Sequence, residues 1–183
     1  MRWRLLVFDL DGTLADTQDD LADAVNATRA WAGLPPTSLS EIRLSIGDGA
    51  RALIQRTVPF AGPVEEPLRY FIGYYGTHAV VRTRLYPGVT GLLEASRGLT
   101  RAVLTNKPER ISRRMLQALA NAGHFESVVG GDTLPTRKPD PAGLLSLTVK
   151  HGVPAAETLL IGDSPVDIAT AKAAGVACAA IRG

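Results

Sequence analysis

Four short stretches of the 183-residue chain place oxygen- and nitrogen-bearing side chains directly after, or on the loop after, an apolar run. Asp9-Leu10-Asp11-Gly12-Thr13 follows Leu5-Leu6-Val7-Phe8, and Thr105-Asn106-Lys107 follows Ala102-Val103-Leu104. Arg137-Lys138-Pro139-Asp140 lies on the loop after Ser127-Val128-Val129. Gly162-Asp163-Ser164-Pro165-Val166-Asp167 follows Thr158-Leu159-Leu160-Ile161. Carboxylates that converge repel and raise each other's pKa unless a cation compensates. Every candidate ligand is an oxygen, so a hard divalent cation fits. Mg2+ fits best, because it takes one or two carboxylates together with water and substrate phosphate. Its charge lets an anionic phosphate approach an acidic cluster, and Lys138 adds positive charge opposite. The chemistry open to such a set is phosphoryl transfer. One carboxylate attacks phosphorus. A second, two residues on, protonates the leaving oxygen and then deprotonates water, a contribution of roughly 10²–10⁴-fold. Thr105 and backbone N–H groups near Asp11 and Asn106 would hold the phosphoryl oxygens.

These residues meet only if the fold brings them together. Runs that are apolar throughout suit strands buried on both faces, as in a parallel sheet. The runs are residues 5–8, 102–104, 127–129, 158–161 and 177–181. Helical patterns lie between them: residues 110–122 with Ile111, Met115, Leu116 and Leu119 before Gly123, residues 141–149 before Gly152 and Pro154, and residues 166–174 before Gly175. The alternation predicts a three-layer α/β fold with ligands beyond the carboxyl ends of the strands. A short helix of two turns is expected through Leu92, Leu93 and Ala95.

Residues 16–86 break the alternation with helical periodicity and no convincing buried strand. Thr17-x-x-Asp20 resembles a capping box ahead of Leu21, Ala24, Val25 and Thr28. Further helices are expected over residues 39–44, from near Gly49, and through Leu68, Phe71, Ile72 and Tyr75. The expected organisation is a Rossmann-like core of residues 1–15 and 87–183 with a helical subdomain of residues 16–86 inserted, hinged near residues 14–16 and 86–88.

Composition narrows the class. With 45% hydrophobic residues and a net charge of +2, the chain has the makings of a folded core rather than disorder. One cysteine, Cys178, excludes an internal disulfide framework and a Cys-rich zinc site; it reads as a buried small side chain. No apolar run approaches the ~20 residues of a membrane helix, and acid at Asp9 comes too early for a signal-peptide core. The location read from this is cytoplasmic. The sixteen Arg are scattered, which argues against nucleic acid as partner. His78, His124 and His151 read as packed or solvated, Arg51 as a solvated helix residue, and Tyr70, Phe71, Tyr74 and Tyr75 as the core of the insert.

The four polar stretches resemble, in order and spacing, the four motifs of the haloacid dehalogenase superfamily, and the insert resembles its helical C1 cap. Val103-Leu104-Thr105-Asn106-Lys107-Pro108, Val129-Gly130-Gly131-Asp132, Arg137-Lys138-Pro139-Asp140-Pro141 and Gly47-Asp48-Gly49-Ala50-Arg51-Ala52-Leu53 are similar to stretches of its phosphoglycolate phosphatase group. The resemblance implies Asp9 as nucleophile, forming an aspartyl-phosphate, and Asp11 as acid/base. It implies a metal held by the Asp9 carboxylate, the Asp11 backbone carbonyl and the Asp163 carboxylate, with Asp167 supporting from behind. Thr105, Asn106 and Lys138 would bind phosphate. Thr13 and Lys107 are also placed against substrate, and Gly47, Asp48 and Gly49 form the cap loop that selects it. Cap closure would expel bulk water. The implied activity is Mg2+-dependent hydrolysis of a small phosphomonoester, 2-phosphoglycolate foremost, by a monomer or homodimer.

Other readings are weighed by residue. A dehalogenase lacks the second motif-one acid, so Asp11 argues against it. A Schiff-base phosphonatase needs a cap lysine, and the first Lys in the chain is Lys107. A phosphomutase or another sugar-phosphate phosphatase shares the same core and stays open. A receiver-like phosphoacceptor module would lack the insert and carry its acceptor Asp after the third strand, where Gly130-Gly131 stands here. A non-catalytic homologue is suggested by the stop at Gly183, which would leave a sheet edge to solvent or to a partner chain. Intact residues in all four motifs argue against it.

Overall fold

The computed structural model describes residues 2–119 and 122–181. The first apolar run forms β1 (Leu5–Phe8), with all four residues buried. A tight turn leads to β2 (Ala15–Asp16), and four helices follow: α1 (Gln18–Trp31), α2 (Leu39–Arg43), α3 (Ala50–Thr57) and α4 (Glu65–His78). The chain returns through β3 (Arg84–Leu85) and α5 (Val89–Ala95) into β4 (Thr100–Leu104), α6 (Glu109–Ala118), β5 (Ser127–Val129), α7 (Ala142–His151), β6 (Thr158–Gly162), α8 (Pro165–Ala174) and β7 (Ala177–Ala180). It divides into two compact units, Thr17–Arg84 and the segments on either side of it.

The flanking unit is an α/β domain around a five-stranded sheet of order β5-β4-β1-β6-β7. Every pairing in it is parallel: Leu5 lies opposite both Thr100 and Thr158, Ala102 opposite Ser127, and Leu159 opposite Ala177. β1 is therefore central, and its carboxyl end is flanked by those of β4 and β6. Leu5, Val7, Ala102, Leu104 and Leu160 pack with Leu144 and Leu147 of α7 and Ala171 and Ala174 of α8 in one buried cluster. Uniformly apolar strands are what a sheet covered on both faces requires. Cys178, expected to be buried, is only partly so, because its strand is the last in the sheet order.

The helical unit packs α1 against α4, burying Leu21, Ala24, Val25, Phe71 and Tyr75. Two of the four expected core aromatics lie elsewhere. Tyr70 stacks on the exposed Trp31 ring, centroids 5.3 Å apart, and Tyr74 stacks on His78 at 4.2 Å.

Three local expectations differ from the structure. Thr17 makes no side-chain cap bond to α1. Its expected partner Asp20 is buried and accepts the backbone N–H groups of Val81, Arg82 and Thr83 at 2.9–3.1 Å. Capping boxes form instead at Ser38–Glu41 and Ser164–Asp167. The expected helix over residues 110–122 ends at Ala118, since its last buried apolar member is Leu116; its residues 120 and 121 lie outside the described residues. Finally, the first expected hinge, residues 14–16, contains β2, which pairs with β3 just before the second, residues 86–88, and Tyr86 N–H donates to the Leu14 carbonyl at 3.1 Å.

Candidate active site

The polar residues after β1, β4 and β6 and those on the Arg137 loop converge at the carboxyl edge of the sheet. Asp9 directly follows β1. Its backbone N–H extends the ladder to the Ile161 carbonyl at 2.9 Å, and its Oδ1 accepts the Leu10 N–H at 2.7 Å. Its Oδ2 lies 2.9 Å from Lys138 Nζ. The same ammonium donates to Asp167 Oδ1 at 2.6 Å. Asp167 Oδ2 is held by the Ser164 hydroxyl at 2.6 Å and the Ser164 N–H at 3.1 Å. Ser164 has no role in the sequence reading. The cap, Pro at the first helical position and acid in Ser164-Pro165-Val166-Asp167 are the signal that finds it.

Asp11, two residues along, pairs with Lys107, Oδ1 to Nζ 2.8 Å. The Lys107 side chain is 3% exposed, so it points inward to this cluster rather than to solvent. Asp163 accepts the Thr13 hydroxyl at 2.8 Å. Thr13, placed against substrate by the sequence reading, has its hydroxyl committed to orienting this acid. Gly12 makes the approach possible: its φ is +78°, and a Cβ there would lie 2.2 Å from an Asp163 oxygen. Thr105 N–H bonds the Val129 carbonyl at 3.0 Å, and its hydroxyl accepts the Lys107 N–H at 3.2 Å. Asn106 Nδ2 donates to the Lys138 carbonyl at 3.0 Å.

Asp9, Asp163 and Asp167 each offer an oxygen within 4.8 Å of the others. Four carboxylates thus face two ammonium groups, a formal excess of two negative charges. Burial pushes the Asp9 carboxyl up to about 6; the Lys138 charge opposes this, while the Asp167 and Asp11 charges add to it. Burial, with Asp167 nearby, raises Asp163 too, against the Thr13 hydrogen bond. Lys138 is pulled the other way by its burial, but Asp9 and Asp167 overcome this and raise it.

Gly47, Asp48 and Gly49 belong to the helical unit, between α2 and α3. Both glycines have positive φ, and Asp48 pairs with Arg56 at 2.5 Å. Arg51 pairs with Glu65 at 2.9 Å on the surface. His124 and His151 make partners of Glu94 (4.0 Å) and Ser127 (2.9 Å).

The sequence profile of the haloacid dehalogenase-like hydrolases matches residues 6–181. The chain belongs to that family. Among its relatives, phosphoglycolate phosphatase 1 of Pseudomonas aeruginosa is 41% identical, over 97% of this chain and 69% of the relative. The phosphoglycolate phosphatase of Rhodospirillum rubrum is 40% identical, over 94% and 77%. A crystal structure from Haemophilus somnus, described as a predicted phosphoglycolate phosphatase, superposes with a TM-score of 0.93 at 34% identity, covering 98% of this chain and 85% of that one. The α/β fold of this hydrolase is that of its family. Among the described residues, no helix is long and apolar enough to cross a membrane.

Proposed function

We propose that this haloacid dehalogenase-like hydrolase is a Mg2+-dependent phosphatase of small phosphomonoesters, with 2-phosphoglycolate as its foremost substrate. The observation that carries the reading is the convergence of Asp9, Asp11, Lys107, Lys138, Asp163 and Asp167 from four separated segments. The names of the relatives favour the substrate.

The residues fit a divalent cation. The donors are all oxygens, the cluster carries two uncompensated negative charges, and Asp9 and Asp163 are both held above their ordinary 3.8. The Asp9 and Asp163 carboxylates and the Asp11 carbonyl would hold it. Asp167, with both oxygens engaged by Lys138 and Ser164, would support the site from behind. When bound, such an ion cancels the excess charge and polarises a phosphoryl oxygen.

The chain's own residues do the rest. Lys138, Thr105 and Asn106 orient the phosphoryl group. The Asp9 carboxylate attacks phosphorus; an O–P bond forms and the ester P–O bond breaks. Asp11, positioned by Lys107, must take up a proton as substrate binds, and it hands that proton to the departing oxygen. Asp11 then takes a proton from water, which attacks phosphorus, frees inorganic phosphate and restores Asp9. Thr13 keeps Asp163 aimed at the cluster. The helical unit serves as the cap, with Gly47-Asp48-Gly49 as its selecting loop.

The test is phosphate release by the purified chain with Mg2+ from a panel of phosphomonoesters, 2-phosphoglycolate and sugar phosphates included. Turnover with 2-phosphoglycolate ranked first is expected. A folded protein that releases phosphate from none of them overturns the reading, and a single long-lived phosphorylation without turnover would favour a phosphoacceptor module.

A further inference from the structure

After β5 the chain runs Gly130-Gly131-Asp132-Thr133, a stretch that none of the steps above uses. It lies against the loop that carries Thr105, Asn106 and Lys107. Gly131 N–H donates to the Lys107 carbonyl at 2.9 Å. Asp132 Oδ1 accepts the N–H of Glu109 at 2.7 Å. That N–H opens α6, and Pro108 before it offers no side-chain acceptor. An acid 23 residues away therefore caps the helix. The Thr133 hydroxyl accepts the Gly130 N–H at 2.8 Å and donates to Glu109, which closes the turn.

The packing leaves no room for a side chain. A Cβ on Gly131 would stand 2.3 Å from the Asn106 carbonyl oxygen, and one on Gly130 would stand 2.3 Å from Glu109 N. On the other side, the Asn106 amide holds the Lys138 carbonyl. Residues 105–109 are gripped from two directions, by the Lys138 loop and by this clasp.

We infer that Gly131 and Asp132 are positioning residues, which hold the Thr105-Asn106-Lys107 loop in the geometry that phosphate binding and the Asp11–Lys107 pair require. Neither residue touches the reacting atoms; both act through the loop. The kinetic side of this inference rests on the phosphatase reading. The structural side does not.

The experiment compares wild type with Asp132→Ala, Asp132→Asn and, as a control in the helical unit, Asn26→Ala. The control removes a side chain that pairs twice with Thr37. Two readouts are taken: KM with the inhibition constant of inorganic phosphate, and amide hydrogen exchange across residues 104–110. Asp132 is exposed, so its replacement leaves the core intact. Asp132→Ala is expected to raise KM and the phosphate inhibition constant together by about tenfold, as misplaced binding groups do, and to speed exchange at Glu109. Asp132→Asn, which keeps an oxygen acceptor, should restore both nearly to wild type. Asn26→Ala should lower stability and change neither. Wild-type exchange and wild-type phosphate binding in Asp132→Ala overturn the inference, and so does equal damage in Asp132→Asn. If wild type releases phosphate from no substrate, the phosphatase reading falls. The clasp is then decided by exchange alone: unchanged protection of residues 104–110 in Asp132→Ala overturns it.

Discussion

The Lys138 ammonium lies 2.6 Å from Asp167 Oδ1, with the two side chains 2% and 0% exposed. A pair so removed from water stands only while each charge has its partner. Replacing Lys138 with Met leaves Asp9 and Asp167 buried and uncompensated, a loss on the order of 3–5 kcal/mol. Urea denaturation should show this, and phosphate release should vanish. A Lys138→Met variant with wild-type stability would mean that the two acids simply take up protons at little cost.

Asp9→Asn should abolish turnover while preserving the fold, and it should also change how stability follows pH. The Asp9 carboxyl keeps its proton to about 6 in the folded protein against an ordinary 3.8. Its contribution to stability is therefore fully present below pH 3.8 and is lost as pH rises through about 6. Thermal unfolding without divalent cation, from pH 4 to pH 7, should show wild type losing on the order of 2–3 kcal/mol relative to Asp9→Asn. Parallel curves for the two proteins would deny Asp9 its raised pKa.

Divalent cation should stabilise the protein with the logarithm of its concentration above the dissociation constant, by about 2.7 kcal/mol at a hundred times that constant. Calorimetry with Mg2+ and then with excess chelator tests this. Asp163→Asn should remove most of the effect, whereas Asp163→Asn that responds to Mg2+ as wild type does would place the ion elsewhere.

Asp48→Ala should alter the ranking of substrates more than the stability of the fold. The Asp48–Arg56 pair is half-exposed on both sides, so its loss costs at most about 1 kcal/mol. Rates across the phosphomonoester panel provide the measurement. An unchanged ranking would remove residues 45–52 from substrate selection.

Much of the core was legible because its strands are buried on both faces. Leu5-Leu6-Val7-Phe8 and Ala102-Val103-Leu104 carry no polar residue, and the first polar one after each marks the sheet edge. What could not be read depends on distant partners. Thr17 and Asp20 have the spacing of a cap, but Asp20 is claimed by backbone 61–63 residues later. Lys107 has the same letter whether it meets solvent or Asp11. β2 and β3 are two residues each, below the length at which alternation registers. Thr13 follows Asp9 and Asp11 closely in sequence, but the acid its hydroxyl bonds is 150 residues away.

Of the five strands of its sheet, β1 leaves the ribosome before the others and ends up innermost. One neighbour enters at Thr100 and the other at Thr158. A nascent chain therefore carries this apolar segment with neither flank to cover it until residue 100 is made, and with only one until residue 158. Chaperone capture during synthesis should centre on residues 5–8, and ribosomes stalled before residue 158 should display an aggregation-prone product.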